Sequence, residues 1–154
     1  MKLSLIGVGK LKRDPERELV DDYFKRAGKL ARGLGIRDVR EIEVDAGPDA
    51  FAEADRILAR MPDGARIFLL DETGENMSSR EIADMVGRLR DQGTDALCFV
   101  IGGADGFTDA LKARTSDKLS FGRQTWPHKM VRVMAAEQIY RALSLLAGTP
   151  YHRD

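Results

Sequence analysis

Residues 96–132, ALCFVIGGADGFTDALKARTSDKLSFGRQTWPHKMVR, decide how this chain is read. Leu97 to Ile101 is a short unbroken apolar run, the signature of a strand buried on both faces. It stops at Gly102-Gly103, with Gly106 close behind. Lys118 to Phe121 predicts a second short strand, which ends in the loop Gly122 to His128, and a long helix starts near Lys129. Two strands therefore end in loops where backbone can approach a ligand. In parallel α/β sheets, ligands bind just outside the carboxyl ends of the strands.

The pattern extends in both directions. Lys2 to Val8 predicts a first strand, closed by Gly7-Val8-Gly9-Lys10. That Gly-x-Gly lacks the third glycine of the dinucleotide fingerprint and the Gly-Lys-Ser/Thr ending of a P-loop, so it reads as turn chemistry. Asp14 is placed to cap a helix with Pro15 at its first position, and Leu19, Val20, Tyr23, Phe24, Ala27 and Leu30 form one stripe along it. Val39 to Val44 alternates like a strand, Phe51 to Met61 has helical spacing, and Ile67 to Leu70 is a third apolar strand ending at Asp71-Glu72-Thr73-Gly74. Ser78-Ser79-Arg80-Glu81 reads as a capping box, and Ile82, Met85, Val86 and Leu89 give the helix behind it a buried stripe. Strands alternating with helices predict a parallel, three-layer α/β domain over residues 1–154. The last helix, Lys129 to Ala147, carries apolar residues over more than one stripe. That predicts burial on two sides, one on the sheet and the other against a partner such as a second copy of the chain.

Composition narrows the function. At 154 residues the chain can form one domain with a real core. It has no apolar run of membrane-spanning length, and its N-terminal apolar run is too short for a signal peptide. A single Cys98 forbids an internal disulfide and predicts a cytoplasmic protein; mid-strand among apolar residues, it reads as a small buried hydrophobe. No Cys/His cluster has metal-ligand spacing, so no metal is expected. The net charge of zero hides an asymmetry. From Lys112 onward there are eight basic and three acidic residues, a net +5, so the first 111 residues carry −5. Such a basic end predicts either a local anionic partner, such as RNA or phosphate, or a solvated helix face. Without a Gly-x-Ser-x-Gly elbow or a metal-ligand pair, hydrolase and metalloenzyme readings are weak. What remains is three strand-end loops and the polar, aromatic, cationic tail Thr149-Pro150-Tyr151-His152-Arg153.

These segments together carry a resemblance. IGGADG at a strand end, LSFGRQTWPHKMVRVMAAEQIYRA after it, the terminal PYHR and the opening KLSLIGVGKLK resemble the RlmH family over essentially the whole chain. Members of that family are SPOUT-class methyltransferases that modify a pseudouridine of large-subunit 23S ribosomal RNA. The resemblance implies an α/β fold whose C-terminal part is tied in a trefoil knot, a departure from the rule that chains are unknotted. It implies S-adenosylmethionine as cofactor, held by Leu70, Gly102 and the run Phe121, Gly122, Arg123, Gln124, Thr125 and Trp126. It also implies a homodimer whose partner completes each active site, and the assembled ribosome rather than free RNA as substrate.

The residue chemistry is consistent with those roles. Glycine at 102 lets backbone approach a cofactor without a Cβ, and Leu70 and Trp126 offer apolar surface to an adenosine. The N3 of a pseudouridine is a poor nucleophile until deprotonated. His152 is the first candidate for a base. Arg153 and Arg132 suit phosphate or the uracil oxygens, and Tyr151 suits stacking on the base. Glu137 is a weaker base candidate, because Arg141 lies four residues on along the helix. Two other readings stand beside this one: a noncatalytic nucleotide- or phosphate-binding module using Gly7 to Lys10 or Gly102 to Gly106, and a ribosome-associated factor using only the basic C-terminal face.

Overall fold

The computed structural model describes residues 1–154. Five parallel strands form one sheet: β1 (Lys2–Val8), β2 (Asp38–Val44), β3 (Arg66–Glu75), β4 (Ala96–Ile101) and β5 (Lys118–Leu119), in the spatial order β2-β1-β4-β3-β5. The helices α1 (Pro15–Ala31), α2 (Ala50–Leu58), α3 (Ser79–Asp91), α4 (Asp109–Lys112) and α5 (His128–Ala147) connect and cover it. Because successive side chains on a strand point to opposite faces, the sheet sorts its residues into two cores. Leu3, Leu5, Leu97, Phe99 and Ile101 face α1, α3 and α5. Ile6, Ile42, Val44, Cys98 and Val100 face α2 and α4. This is the expected three-layer α/β arrangement. Every residue of β4 is buried, as its unbroken apolar run requires of a central strand.

Local signals set most boundaries. The Ser78 hydroxyl accepts from the Glu81 N–H and the Glu81 carboxylate accepts from the Ser78 N–H, completing the capping box of α3. Asp14 stands at the N-cap of α1, but its carboxylate does not cap the helix. It accepts from Lys129 Nζ at 2.6 Å and ties the start of α1 to the start of α5. Leu19, expected in the stripe of α1, is 49% exposed, while Val20 and Ala27 are fully buried.

Three elements differ from the pattern reading. Strand β3 does not end at Leu70. Its chain bows outward over residues 71–74 and returns, so that Leu119 pairs with both Leu70 and Glu75. Gly74 crosses β5 so closely that a Cβ there would lie 2.7 Å from backbone atoms of Lys118 and Leu119. Strand β5 has two residues instead of the four of Lys118 to Phe121. The Ser120 hydroxyl ends it by accepting from the Gly122 N–H and donating to the Gly122 carbonyl. Helix α4, one turn capped by the Thr108 hydroxyl, has too few residues to show a periodicity. The two-sided apolar surface of α5 finds covers within the chain, because α5 lies between α1 and α3 over the sheet. No helix is long and apolar enough to cross a membrane.

Candidate active site

A cavity of about 480 Å³ opens at the carboxyl ends of β3, β4 and β5. Three loops enclose it: the excursion 71–73 from β3, the turn 102–107 after β4, and the stretch 121–128 that leads into α5. Seven of the eight residues expected to hold a cofactor line it: Leu70, Gly102, Phe121, Gly122, Gln124, Thr125 and Trp126. Arg123 is exposed and does not. The apolar part of the wall comes from Leu70, Ile101, Leu119, Val131 and the rings of Phe107, Phe121 and Trp126.

Backbone geometry shapes the two glycine loops. Gly122 has φ +111°, a conformation open to glycine, and a Cβ there would lie 2.6 Å from Gln124 Oε1. Gly102 keeps its position because the ring of Phe107 packs 3.1 Å from where its Cβ would be. The close approach expected at Gly102 is therefore made first by the chain's own ring. Trp126, 41% exposed, is held by a hydrogen bond from its indole N–H to the Phe121 carbonyl at 3.3 Å.

Several polar wall residues were not among those expected to hold the cofactor. Asp71 accepts from both the N–H and the hydroxyl of Thr73, at 2.8 and 2.6 Å. The Thr73 hydroxyl, with smaller help from the Thr73 N–H and from Lys118 and Lys112, holds the Asp71 carboxyl below its ordinary range. Lys112, at the end of α4, lines the same cavity, as do Glu72 and His128. The Asp-x-Thr spacing of an Asx turn at a strand end was the available signal. No cluster of His, Cys, Asp and Glu capable of holding a metal is present. Burial pushes the Cys98 thiol up to about 11, as befits a packed side chain rather than a nucleophile.

The four expected catalytic residues lie elsewhere. Arg132 is a correction. Only 3% exposed, it donates to Glu43 at 2.8 Å, to Glu41 at 3.2 Å, and to the carbonyls of Val8 and Gly9 at 2.9 and 3.0 Å. It is buried between the strand ends, enclosed by Gly7, and cannot meet a phosphate there. Tyr151, His152 and Arg153 lie outside the cavity wall. The tail that carries them folds back on α5. Tyr151 Oη donates to Glu137 at 3.0 Å, and its ring packs edge-on against Tyr140, 4.6 Å between centroids. Burial, followed by the bond to Glu137, pushes the Tyr151 phenol up. Glu137 also accepts from Arg141 at 2.6 and 2.9 Å, the pairing that the i, i+4 spacing predicts. His152 sits between Arg141, 3.2 Å from Nδ1, and Asp154, 3.0 Å from Nε2. A guanidinium only donates, so Nδ1 accepts and Nε2 carries the proton toward Asp154. In this arrangement neither ring nitrogen is free to take a proton from a substrate. Arg153 is exposed.

Comparison with known proteins adds ancestry to this geometry. Residues 1–152 match the family described as "Predicted SPOUT methyltransferase". The chain is 51% identical over 153 residues to ribosomal RNA large subunit methyltransferase H of Hyphomonas neptunium, with 99% of each chain covered. It is 49% identical over 155 residues to the protein of the same name in Phenylobacterium zucineum, with 100% of each covered. Among solved structures it resembles a putative methyltransferase of Legionella pneumophila in complex with SAM, with a TM-score of 0.47 and 14% identity over 95% of this chain and 66% of that one. The chain belongs to the SPOUT methyltransferases, in the family of ribosomal RNA large subunit methyltransferase H.

Proposed function

We propose that this protein is an S-adenosylmethionine-dependent methyltransferase acting on N3 of a pseudouridine in the 23S rRNA of the assembled ribosome, as a cytoplasmic homodimer. The observation that carries the reading is the cavity at the strand ends, walled by seven of the eight residues expected to hold the cofactor, in a chain of this family. Its 480 Å³ falls within the ~300–1,000 Å³ of small-molecule sites. Leu70, Phe121 and Trp126 suit the adenosine, and the backbone around Gly122 suits its polar edge. Asp71 and Lys112 place opposite charges in one wall, a match for a cationic sulfonium and for the ammonium and carboxylate of a methionine group. The close crossing of Gly74 over β5 supports the trefoil knot of this class.

Bound S-adenosylmethionine supplies an activated methyl group. The protein's part is then to align a uracil nitrogen with that methyl and to stabilise the anion that forms on losing the N3 proton. Arg153 has the charge to do the second, and Tyr151 the ring to stack on the base. Both lie away from their own protomer's cavity, which favours a site completed by a second copy. His152 keeps a role in this reading by holding the tail, since both of its nitrogens are engaged. The net +5 of the last 43 residues gives the substrate side of the molecule its affinity for RNA.

The test is methyl transfer from labelled S-adenosylmethionine to ribosomes from cells lacking this protein, and to their stripped RNA. Label on N3 of one pseudouridine, from ribosomes and not from free RNA, is the expected result. Label on free RNA as well would move recognition into the protein's own basic face. No label on either, with no cofactor bound in a parallel titration, would overturn the reading in favour of a noncatalytic module.

A further inference from the structure

Behind the wall formed by Gly102 and Gly103 lies a carboxyl group with no role in the site described so far. Glu53, near the start of α2, is 7% exposed. Its Oε1 accepts from the Gly47 N–H at 3.3 Å, and its Oε2 is buried with no hydrogen-bond partner. An unpaired buried carboxylate oxygen is costly, and few folds keep one without a use for it. Gly103 packs directly on it: a Cβ at 103 would lie 2.2 Å from Oε2 and 2.9 Å from Oε1.

The loop side is complementary. The Gly106 N–H donates to the Gly103 carbonyl at 3.0 Å and closes a tight turn. The N–H groups of Ala104 and Asp105 make no hydrogen bond within the protein. A buried acceptor that lacks a donor thus lies against a turn whose Ala104 and Asp105 N–H groups are exposed and make no bond within the protein. Gly103 and Ala104 line the cofactor cavity, whereas Glu53 does not.

We propose that Glu53 is a positioning residue for the cofactor loop: its Oε2 accepts the Ala104 N–H, next to Gly103, when a nucleoside cofactor seats in the cavity, and so fixes the Gly102 wall against that cofactor. The proposal rests on the methyltransferase reading and names the residue that sets the loop. Glu53 touches no cofactor atom. Its unpaired oxygen raises the energy of the open loop, and its pairing favours the closed one, so the ligand gains from the difference between the two states. The missing side chain at 103 has a reason here, because any Cβ would push the carboxyl aside.

The experiment titrates S-adenosylmethionine calorimetrically into the full-length protein, Glu53→Ala and Glu53→Gln, and follows amide hydrogen exchange over residues 96–106 with and without cofactor. Glu53→Ala should weaken binding on the order of tenfold, the scale of one bond to a charged group. Glu53→Gln keeps an accepting oxygen and should recover part of that affinity; it is the variant to read if Glu53→Ala does not fold. In the wild type the loop amides should gain protection on binding. In Glu53→Ala they should not, while the β4 amides stay equally protected in both proteins. Wild-type affinity and loop protection in Glu53→Ala would overturn the proposal and leave the methyltransferase reading standing. So would loss of protection spreading through β4, which marks a merely structural role. A wild-type protein that does not bind S-adenosylmethionine would overturn both.

Discussion

Arg132 sits in the second turn of α5, and its guanidinium reaches the carboxyl ends of β1 and β2. There it joins Arg17, Glu41 and Glu43 in one network of alternating charge. Removing one partner of a buried pair leaves the other charge uncompensated, which costs about 3–5 kcal/mol. Arg17 still serves both glutamates, so Arg132→Ala should cost about 3 kcal/mol in a urea titration, at the low end of that range. Unchanged stability with lost methylation would instead return Arg132 to the chemistry. From sequence an arginine near a basic helix start reads as a phosphate ligand, because nothing local names Glu41 and Glu43, some ninety residues away, as its partners. Gly74 is equally silent in sequence. Its neighbours are the backbone of Lys118 and Leu119, which cannot rotate away as a side chain can. Gly74→Ala should therefore lower stability by roughly 1–3 kcal/mol, the cost of overpacking, and shift the amide resonances of β5.

At the scale of elements, β4 and α5 were legible and the tail was not. An unbroken apolar run has one physical outcome, burial on both faces, and β4 meets it at the centre of the sheet. Beyond Thr149, whose N–H donates to the Ser144 carbonyl, the tail holds its place through side chains: Tyr151 and Arg141 on Glu137, His152 on Arg141, and Asp154 on both His152 and Arg80. Arg80, and after it His152, lower the Asp154 carboxyl from 3.8 to about 2. The folded value lies below the unfolded one, so this pairing adds stability above about pH 4 that is lost as the pH falls toward 2. Arg80→Gln removes the larger cause. A carboxyl-carbon NMR titration of the variant should place Asp154 well above 2, most of the way back to 3.8. An unmoved titration would show that Arg80 does not hold the tail. The composition of this segment suggested functional groups without saying whether they were free, and the structure shows all but Arg153 engaged.

On the scale of the whole molecule, the chain presents a cavity at the strand ends, while its Tyr151 and Arg153 lie away from that cavity. If each site combines the cavity of one chain with the tail of its partner, two inactive variants should complement. Gly102→Val removes the first and Arg153→Ala the second. Mixed and re-dimerised, they should regain up to about a quarter of wild-type methylation, since half of the dimers are then mixed and each mixed dimer has one intact site. Each variant alone should stay inactive, and a mixture without activity would place both parts in a single chain. Sequence by itself determined the alternation of strands and helices, the three-layer class, the glycine-bearing strand ends where the cavity opens, and the family. Each of these follows from local periodicity, turn residues or contiguous motifs. Tertiary structure alone decided that residues 71–74 bow around β5, that Arg132 is a buried tether, that His152 is bonded at both nitrogens, and that Glu53 stands unpaired behind Gly103. Those facts depend on contacts between residues remote in the chain, and side-chain periodicity carries no information about which distant partner a buried polar group will meet.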